Sequence, residues 1–182
     1  MRELSLNVLD IAQNSISAGA SLIELEVAAD TAADRLTIRI IDNGCGMTAE
    51  QAARVRDPFY TTRTTRKVGM GVPLFRMAAE MADGDLTIDT APGQGTTVSA
   101  TFRLSHIDRM PLGDMCGTVI TLIRLNPSLD FVYRFSVDDK RFTLDTRELR
   151  VQLEDVPLDE PDVINWIEAY VRESTDEMGS TL

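Results

Sequence analysis

The sequence predicts an α+β protein, because two kinds of hydrophobic spacing follow one another along the chain. Residues 21–28 and 36–41 alternate apolar and polar side chains across a short polar stretch, which predicts a β-hairpin. Residues 3–18 and 70–81 instead carry apolar side chains at helical spacing. Strands that pair locally, with helices before and after them, are typical of an α+β fold.

Three further elements complete the first part of the chain. A short helix is expected after Thr48, which is its N-cap, with Gln51 in the capping-box position. Residues 86–90 and 97–104 predict two more strands, joined by a glycine-rich turn. Residues 56–68 are rich in Thr and Arg and lack an apolar period, which indicates a long loop that is either functional or disordered.

The character of the sequence changes after about residue 105. We therefore expect one domain over 1–105 and a small α+β C-terminal module, of unknown role, over 106–182. From Glu154 onward there are nine Asp and Glu residues against the single Arg172, which indicates a solvated acidic helical tail or a docking surface. The predicted elements of this module are a helix over 114–125, strands over 129–137 and around 142–144, and helices over 146–153 and from Pro161 onward.

Composition excludes several classes of function. A hydrophobic content of 43% is enough for a globular core, and a net charge of -11 argues against sequence-independent binding to nucleic acid or anionic membranes. No apolar run reaches the roughly 20 residues of a membrane span, and the N-terminus lacks the layout of a signal peptide. Cys45 and Cys116 form no metal-binding spacing, so we expect reduced thiols in a cytoplasmic protein.

Asp10 and Asn14 are the first candidate site residues. They lie four residues apart on the first predicted helix and therefore share one of its faces. An Asn oxygen is a suitable ligand for Mg²⁺, and a carboxylate one turn earlier could polarise a nearby water or hydroxyl. Taken alone, such a pair is more commonly part of the exposed face of an amphipathic helix.

Residues 42–47, with the sequence DNGCGM, follow the second strand of the predicted hairpin. A carboxylate fixed at a strand end can accept a hydrogen bond from an exocyclic amine. Gly44 and Gly46 allow backbone to approach a flat or anionic ligand closely. In isolation the same pattern also fits an ordinary turn at the end of a strand.

Cations, hydroxyls and glycines concentrate between residues 57 and 71, although the chain as a whole is acidic. Arg63 and Lys67 precede Gly69-Met70-Gly71, which opens the predicted helix over 70–81. Backbone N–H groups at a helix N-terminus, together with local positive charge, favour phosphate binding. A later turn, Gly93-Gln94-Gly95-Thr96, is either a simple hairpin turn or one whose Thr hydrogen-bonds the edge of a ring.

These motifs, in this order, resemble the GHKL superfamily of ATPases, which includes gyrase-type topoisomerases, heat-shock chaperones, histidine kinases and MutL-type mismatch-repair proteins. The resemblance covers about residues 4–104. It implies a two-layer α/β sandwich, in which a mixed, mostly antiparallel sheet carries helices on one face. The matching segments are residues 10–14 for the N-box, 42–47 for the G1 box, 57–63 for the histidine-kinase F-box, 69–72 for the G2 box after the ATP lid, and 93–96 for the G3 turn.

The resemblance also implies ATP and Mg²⁺ as cofactors and assigns roles to single residues. Asn14 would hold Mg²⁺, Asp42 would bind the adenine amine, and Thr96 would complete adenine recognition. The other residues implied to contact the nucleotide are Gly44, Gly46 and Met47 in the adenine pocket, Phe59, Arg63 and Lys67 in the F-box and lid, and Gly69, Met70 and Gly71 against the phosphates.

The sequence departs from the family pattern in ways that affect the expected activity. Asp10 stands where the hydrolysing members have Glu, one methylene longer, and is the expected catalytic residue. Lys67 stands where the G2 box usually opens with a glycine, and Pro73 lies just inside the following helix. No helical hairpin with a phosphoacceptor histidine is expected before the N-box. The strand and helix that usually precede the N-box are also missing, so an exposed sheet edge could result, which a homodimer could cover.

His106 is the only histidine of the chain, and the segment from His106 to Leu112 superficially resembles a phosphoacceptor box. Its position after the ATP boxes is the wrong order for a histidine kinase. We therefore expect a structural or linker histidine rather than an acceptor.

The leading hypothesis is a Mg·ATP-binding, histidine-kinase-like ATPase that acts in signal transduction as a regulatory protein kinase on a separate partner protein. An ATP-gated clamp or assembly factor, in the manner of MutL, is the first alternative. A non-catalytic nucleotide sensor is the second. The motifs predict the ligand, whereas they leave open what the bound ATP is used for.

Overall fold

The computed structural model describes residues 3–55 and 71–179. Within these ranges the helices and strands follow one another along the chain in the order that the spacing of apolar residues predicts. The elements are α1 Leu4–Ser17, β1 Leu22–Asp30, β2 Arg35–Asp42, α2 Ala49–Val55, α3 Gly71–Glu80, β3 Leu86–Thr90, β4 Thr96–Arg103, α4 Met115–Leu125, β5 Asp130–Val137, β6 Lys140–Asp145, α5 Thr146–Leu153 and α6 Pro161–Gly179.

The strands form one mixed sheet in the order β3-β4-β2-β1-β5-β6. β1 and β5 are parallel, whereas every other neighbouring pair is antiparallel. Alternate residues along the strands are buried, as at Leu36, Ile38 and Ile40 of β2, because one face of the sheet carries the core. Helices α1, α3, α4 and α6 contribute their apolar sides to that core. The predicted α+β sandwich is therefore confirmed.

Side-chain caps explain where several helices begin. Thr48 Oγ1 accepts the N–H of Gln51 at 3.2 Å, and Gln51 Oε1 accepts the N–H of Thr48 at 2.9 Å, which is the predicted capping box of α2. Asp114 caps α4 by accepting the N–H of Gly117 at 2.8 Å. Asp145 caps α5 by accepting the N–H of Arg147 at 2.9 Å.

The C-terminal part of the chain continues the sheet of the N-terminal part. β5 pairs with β1 along its length, from Leu22 opposite Asp130 to Ala29 opposite Val137. This pairing satisfies the backbone donors and acceptors of β1 that a missing neighbour would leave open. The edge of the sheet on this side is therefore β6, and the chain covers β1 without a second copy of itself. Segments on both sides of the predicted boundary at residue 105 share one sheet and one hydrophobic core.

Among the described residues, no helix combines the length and the apolar character that a membrane span requires.

Candidate functional site

Asp42 lies at the last position of β2 and is only 9% exposed. Its carboxylate accepts the hydroxyl of Ser15 at 2.6 Å on Oδ2 and the N–H of Gly44 at 2.9 Å on Oδ1. An ionised carboxylate offers about four acceptor positions. The two bonds therefore hold the group in one orientation while each oxygen can still accept from a ligand.

Thr96 stands directly opposite Asp42 in the register of β2 and β4. Residues opposite one another on the same face of an antiparallel pair have Cβ atoms about 5 Å apart. Thr90 lies next in the row, opposite Thr96 on β3, and the two hydroxyls are 3.1 Å apart. The polar end of the sheet therefore presents Asp42, Thr96 and Thr90 side by side.

Thr90 connects the two glycine-containing loops, which are residues 43–48 after β2 and residues 91–95 between β3 and β4. Its hydroxyl accepts the N–H of Met47 at 3.0 Å and donates to the carbonyl of Gly95 at 2.9 Å. Neither Thr90 nor Ser15 was assigned a role from the sequence. The available signals were their positions, because Ser15 directly follows Asn14 and Thr90 is a hydroxyl residue that ends a strand just before a glycine turn.

The glycines of both loops lie where backbones touch. A Cβ on Gly46 would lie 1.9 Å from the carbonyl oxygen of Ala91, and a Cβ on Gly95 would lie 1.9 Å from that of Asp42. Both have positive φ, +65° and +79°, which other residues rarely adopt. A Cβ on Gly44 would lie 3.0 Å from the Cβ of Ala18. These positions bring the loops against the end of β2.

Asp10 and Asn14 lie on α1, exposed and one turn apart. Because Ser15 follows Asn14 and bonds Asp42, the same turn of α1 contacts the end of β2 and presents Asn14 to solvent. α3 begins at Gly71, and a Cβ there would lie 3.2 Å from the Cβ of Asp10. The first described residue of α3 therefore lies beside Asp10.

The structure thus brings together eight of the candidate residues. They are Asp10, Asn14, Asp42, Gly44, Gly46, Met47, Gly71 and Thr96. The remaining candidates, Phe59, Arg63, Lys67, Gly69 and Met70, lie outside the described residues.

His106 lies at the other end of the sheet. It follows β4 on the side where Arg103 pairs with Arg35, and Arg35 is seven residues from Asp42 along β2. At about 3.3 Å per residue this separation is roughly 23 Å. Nδ1 of His106 accepts the N–H of Asp108 at 3.1 Å, and Nε2 lies 3.5 Å from Asp83. Both ring nitrogens therefore have protein partners, one in the loop of His106 and one in the turn between α3 and β3, which favours a structural histidine.

A family model described as "Histidine kinase-, DNA gyrase B-, and HSP90-like ATPase" matches residues 1–106. The chain therefore belongs to this ATPase family, whose shared ligand is ATP. The predicted resemblance to the GHKL superfamily is confirmed.

Curated relatives are similar over about half of the chain. A "Non-motile and phage-resistance protein" of Caulobacter vibrioides is 32% identical over 111 residues, which covers 56% of this chain and 13% of that protein. "Sensor protein kinase FleS" of Pseudomonas aeruginosa is 36% identical over 105 residues, 58% of this chain and 25% of that protein. "Sensor histidine kinase RcsC" of Escherichia coli is 33% identical over 87 residues, 45% of this chain and 9% of that protein. The aligned segment is thus at most a quarter of each relative's length.

A solved structure supports the fold. The crystal structure of the N-terminal domain of a DNA repair protein superposes with a TM-score of 0.57 at 16% identity, covering 80% of this chain and 53% of that one. This coverage extends beyond residue 106, so the shared fold includes part of the C-terminal region.

The two cysteines are expected to react very differently. Cys45 is exposed between Gly44 and Gly46, whereas Cys116 is buried and burial raises the pKa of its thiol to about 11. At pH 8 only about one Cys116 thiol in a thousand is then ionised. Iodoacetamide at pH 8 is expected to add one group per chain rapidly, at Cys45, as measured by intact mass.

ATP with Mg²⁺ is expected to slow this alkylation, because Cys45 lies in the loop next to Asp42. Cys45→Ser is the control and is expected to remain unlabelled over the same time. Labelling of Cys116 at a comparable rate would contradict its burial and raised pKa.

Proposed function

We propose that this chain binds Mg·ATP at the end of the sheet around Asp42 and acts as a histidine-kinase-like regulatory protein kinase on a separate protein. The observation that carries the proposal is the Asp42 carboxylate. It is nearly buried, is held by Ser15 and Gly44, and retains acceptor capacity beside loops whose backbones pack closely. Such a group suits a flat ligand with one exocyclic amine.

In this proposal the adenine lies against the loops that contain Gly44, Gly46 and Gly95. Its amine donates to Asp42, and Thr96, opposite Asp42 in the sheet, hydrogen-bonds the ring edge. The glycines support this placement, since their lack of a side chain already lets backbone segments approach within van der Waals contact. Met47 lies in the same loop and is fixed through Thr90.

The phosphates would extend from the adenine along α1 towards the N-terminus of α3. The N–H groups of the first turn of a helix and the helix dipole favour negative charge at that place. Pro73 lacks an N–H, but within the first turn this removes no helical hydrogen bond. Arg63 and Lys67, with Phe59, Gly69 and Met70, would complete the phosphate site from the loop before α3.

Mg²⁺ fits the donors that α1 offers. Asn14 presents a neutral oxygen at an exposed position, and magnesium normally combines one or two such protein oxygens with waters and phosphate oxygens. The ion would supply charge neutralisation between the phosphates. Asp10, one turn away and next to Gly71, would orient and accept a proton from the hydroxyl or water that attacks the terminal phosphate.

The acceptor in this proposal belongs to another protein. His106 lies about 23 Å along the sheet from the level of Asp42, a distance that a phosphoryl group held on α3 does not bridge. The similarity to sensor kinases supports transfer of the phosphoryl group to a protein.

Radiolabelled Mg·ATP tests the proposal. The wild-type chain, incubated with extract from its source cells, is expected to label a second protein and not itself. Asp10→Asn is expected to retain ATP binding and lose this labelling at least about tenfold, as general-base removal usually costs more than that. The ATP-gated clamp would instead be indicated by three results together. The chain would release phosphate from ATP, its apparent mass on a sizing column would double when a non-hydrolysable ATP analogue is added, and no phosphoprotein would form. Binding without either product would indicate a nucleotide sensor.

A further inference from the structure

α6 presents an aromatic pair to solvent. Trp166, the only tryptophan of the chain, is 53% exposed, and Tyr170 is 40% exposed. Their rings stack at a centroid distance of 5.3 Å and an angle of 11°. The side of α6 that packs against the sheet consists mainly of other residues, including Ile164, Ile167 and Val171.

The pair is held rigidly although it is exposed. The ring of Tyr170 contacts Phe142 of β6 edge-on, with a centroid distance of 5.3 Å and an angle of 65°. Phe142 itself is 8% exposed and belongs to the core. Trp166 therefore stacks on a ring that is anchored to the edge strand. Preorganised aromatic side chains lose little conformational entropy when a partner binds.

Carboxylates flank the pair on the same exposed side of the helix. Asp162 lies one turn before Trp166, and Glu173 lies about one turn after Tyr170; both are exposed. We name Asp162, Trp166, Tyr170 and Glu173 the aromatic-acidic face. The one cation of α6, Arg172, is held away from it by Glu168 at 3.0 Å and Asp114 at 3.2 Å.

We propose that the aromatic-acidic face docks an Arg- or Lys-containing segment of a partner protein. A guanidinium or ammonium group over the face of Trp or Tyr gains a cation–π interaction, and the flanking carboxylates favour the same charge. Trp and Tyr are also the residues that most often dominate binding at protein interfaces. This proposal rests on α6 and β6 and does not depend on where the nucleotide binds.

Charge decides between the conceivable occupants. A second copy of the chain would place the same carboxylates against one another, which is unfavourable. Nucleic acid and anionic lipid are repelled by the face and by the net charge of -11. A basic protein segment is the occupant whose charge and apolar stems match both the acids and the rings.

A fluorescein-labelled peptide of alternating arginine and glycine is a suitable probe of the full chain, with fluorescence anisotropy as the readout. Trp166→Ala/Tyr170→Ala is expected to weaken its binding about tenfold, the loss of one to two cation–π contacts. Trp166→Phe/Tyr170→Phe keeps two ring faces and is expected to restore most of the affinity. Asp162→Asn/Glu173→Gln is expected to weaken binding and to reduce its dependence on salt.

Asp89→Asn/Asp108→Asn is the matched control. This variant removes the same charge from exposed positions on β3 and in the loop after β4. The affinity of the variant protein for the peptide is expected to stay within about twofold of the wild-type affinity. The same peptide with glutamate in place of arginine is expected not to bind. Equal losses in the control and in Asp162→Asn/Glu173→Gln would indicate general attraction to an acidic protein and overturn the proposal. Unchanged binding in Trp166→Ala/Tyr170→Ala, or no binding by the wild type, would overturn it as well.

Discussion

Asp42→Asn is expected to lower the affinity for ATP roughly tenfold to more than a hundredfold, which corresponds to the 1.5–3 kcal/mol of a hydrogen bond to a charged group. The N–H of Gly44 can only donate, so it retains the one amide oxygen of Asn. The amide NH₂ then replaces Oδ2, and the hydroxyl of Ser15 can turn to accept from it. An adenine amine bound in the proposed position would then meet a donor in place of an acceptor.

This substitution is informative because the fold is expected to tolerate it. In the variant, residue 42 can still form its hydrogen bonds to Gly44 and Ser15. The midpoint of thermal unfolding should therefore change little. Isothermal calorimetry with Mg·ATP measures the affinity. Asp10→Asn is the matched control on α1, where the same change of charge is expected to leave the affinity within about threefold. Unchanged affinity in Asp42→Asn would refute the nucleotide site as a whole.

Gly95→Ala is expected to destabilise the protein by about 3 kcal/mol and to weaken ATP binding together with it. A left-handed conformation costs a non-glycine residue about 1–2 kcal/mol, and forcing an extra methyl group into packed surroundings costs a similar amount. Here the methyl group would lie 1.9 Å from the carbonyl oxygen of Asp42, so the strand end that holds the carboxylate has to move. Urea unfolding measures the free energy.

Gly93→Ala, in the same turn, separates the cost of the left-handed backbone from the cost of the added methyl group. Gly93 has nearly the same φ, +75°, but a Cβ there would have no atom within 4 Å. Its loss of stability is therefore expected to be the backbone cost alone, about 1–2 kcal/mol. ATP affinity is expected to remain near that of the wild type. Equal losses of stability in Gly95→Ala and Gly93→Ala would show that the close approach of Gly95 to Asp42 adds nothing to the cost of the substitution.

Most of the secondary structure could be predicted from local signals. The helices and strands follow apolar periodicity, and the capping box of Thr48 and Gln51 is a purely local interaction that forms as expected. The ligand class could also be predicted, because the short motifs around Asp10, Asp42, Gly71 and Thr96 together resemble those of the GHKL ATPases. Such features need no knowledge of the rest of the fold.

Contacts between distant segments could not be predicted in this way. Ser15 and Asp42 are 27 residues apart, and their hydrogen bond depends on how α1 lies against the end of β2. The triple contact of Thr90 likewise requires the two glycine loops to meet. Neither partner has a sequence feature that identifies the other, since a hydroxyl side chain is compatible with many environments.

The placement of the C-terminal segment is another result of tertiary structure. Its apolar alternation predicted strand β5, but alternation indicates which side of a strand is buried and not which strand lies beside it. The structure pairs β5 with β1 in parallel and so covers the edge that the short N-terminal region could have left open. The same packing of α6 on β6 leaves Trp166 and Tyr170 at the surface.

The sequence by itself therefore determined the order of the elements and the identity of the ligand-binding motifs, because periodicity, caps and short motifs act over a few residues. Only the tertiary structure decided how the motifs converge on the Asp42 carboxylate, how the sheet is completed, and which aromatic residues remain exposed. These outcomes depend on which surfaces bury one another, and burial is a property of the whole packed chain.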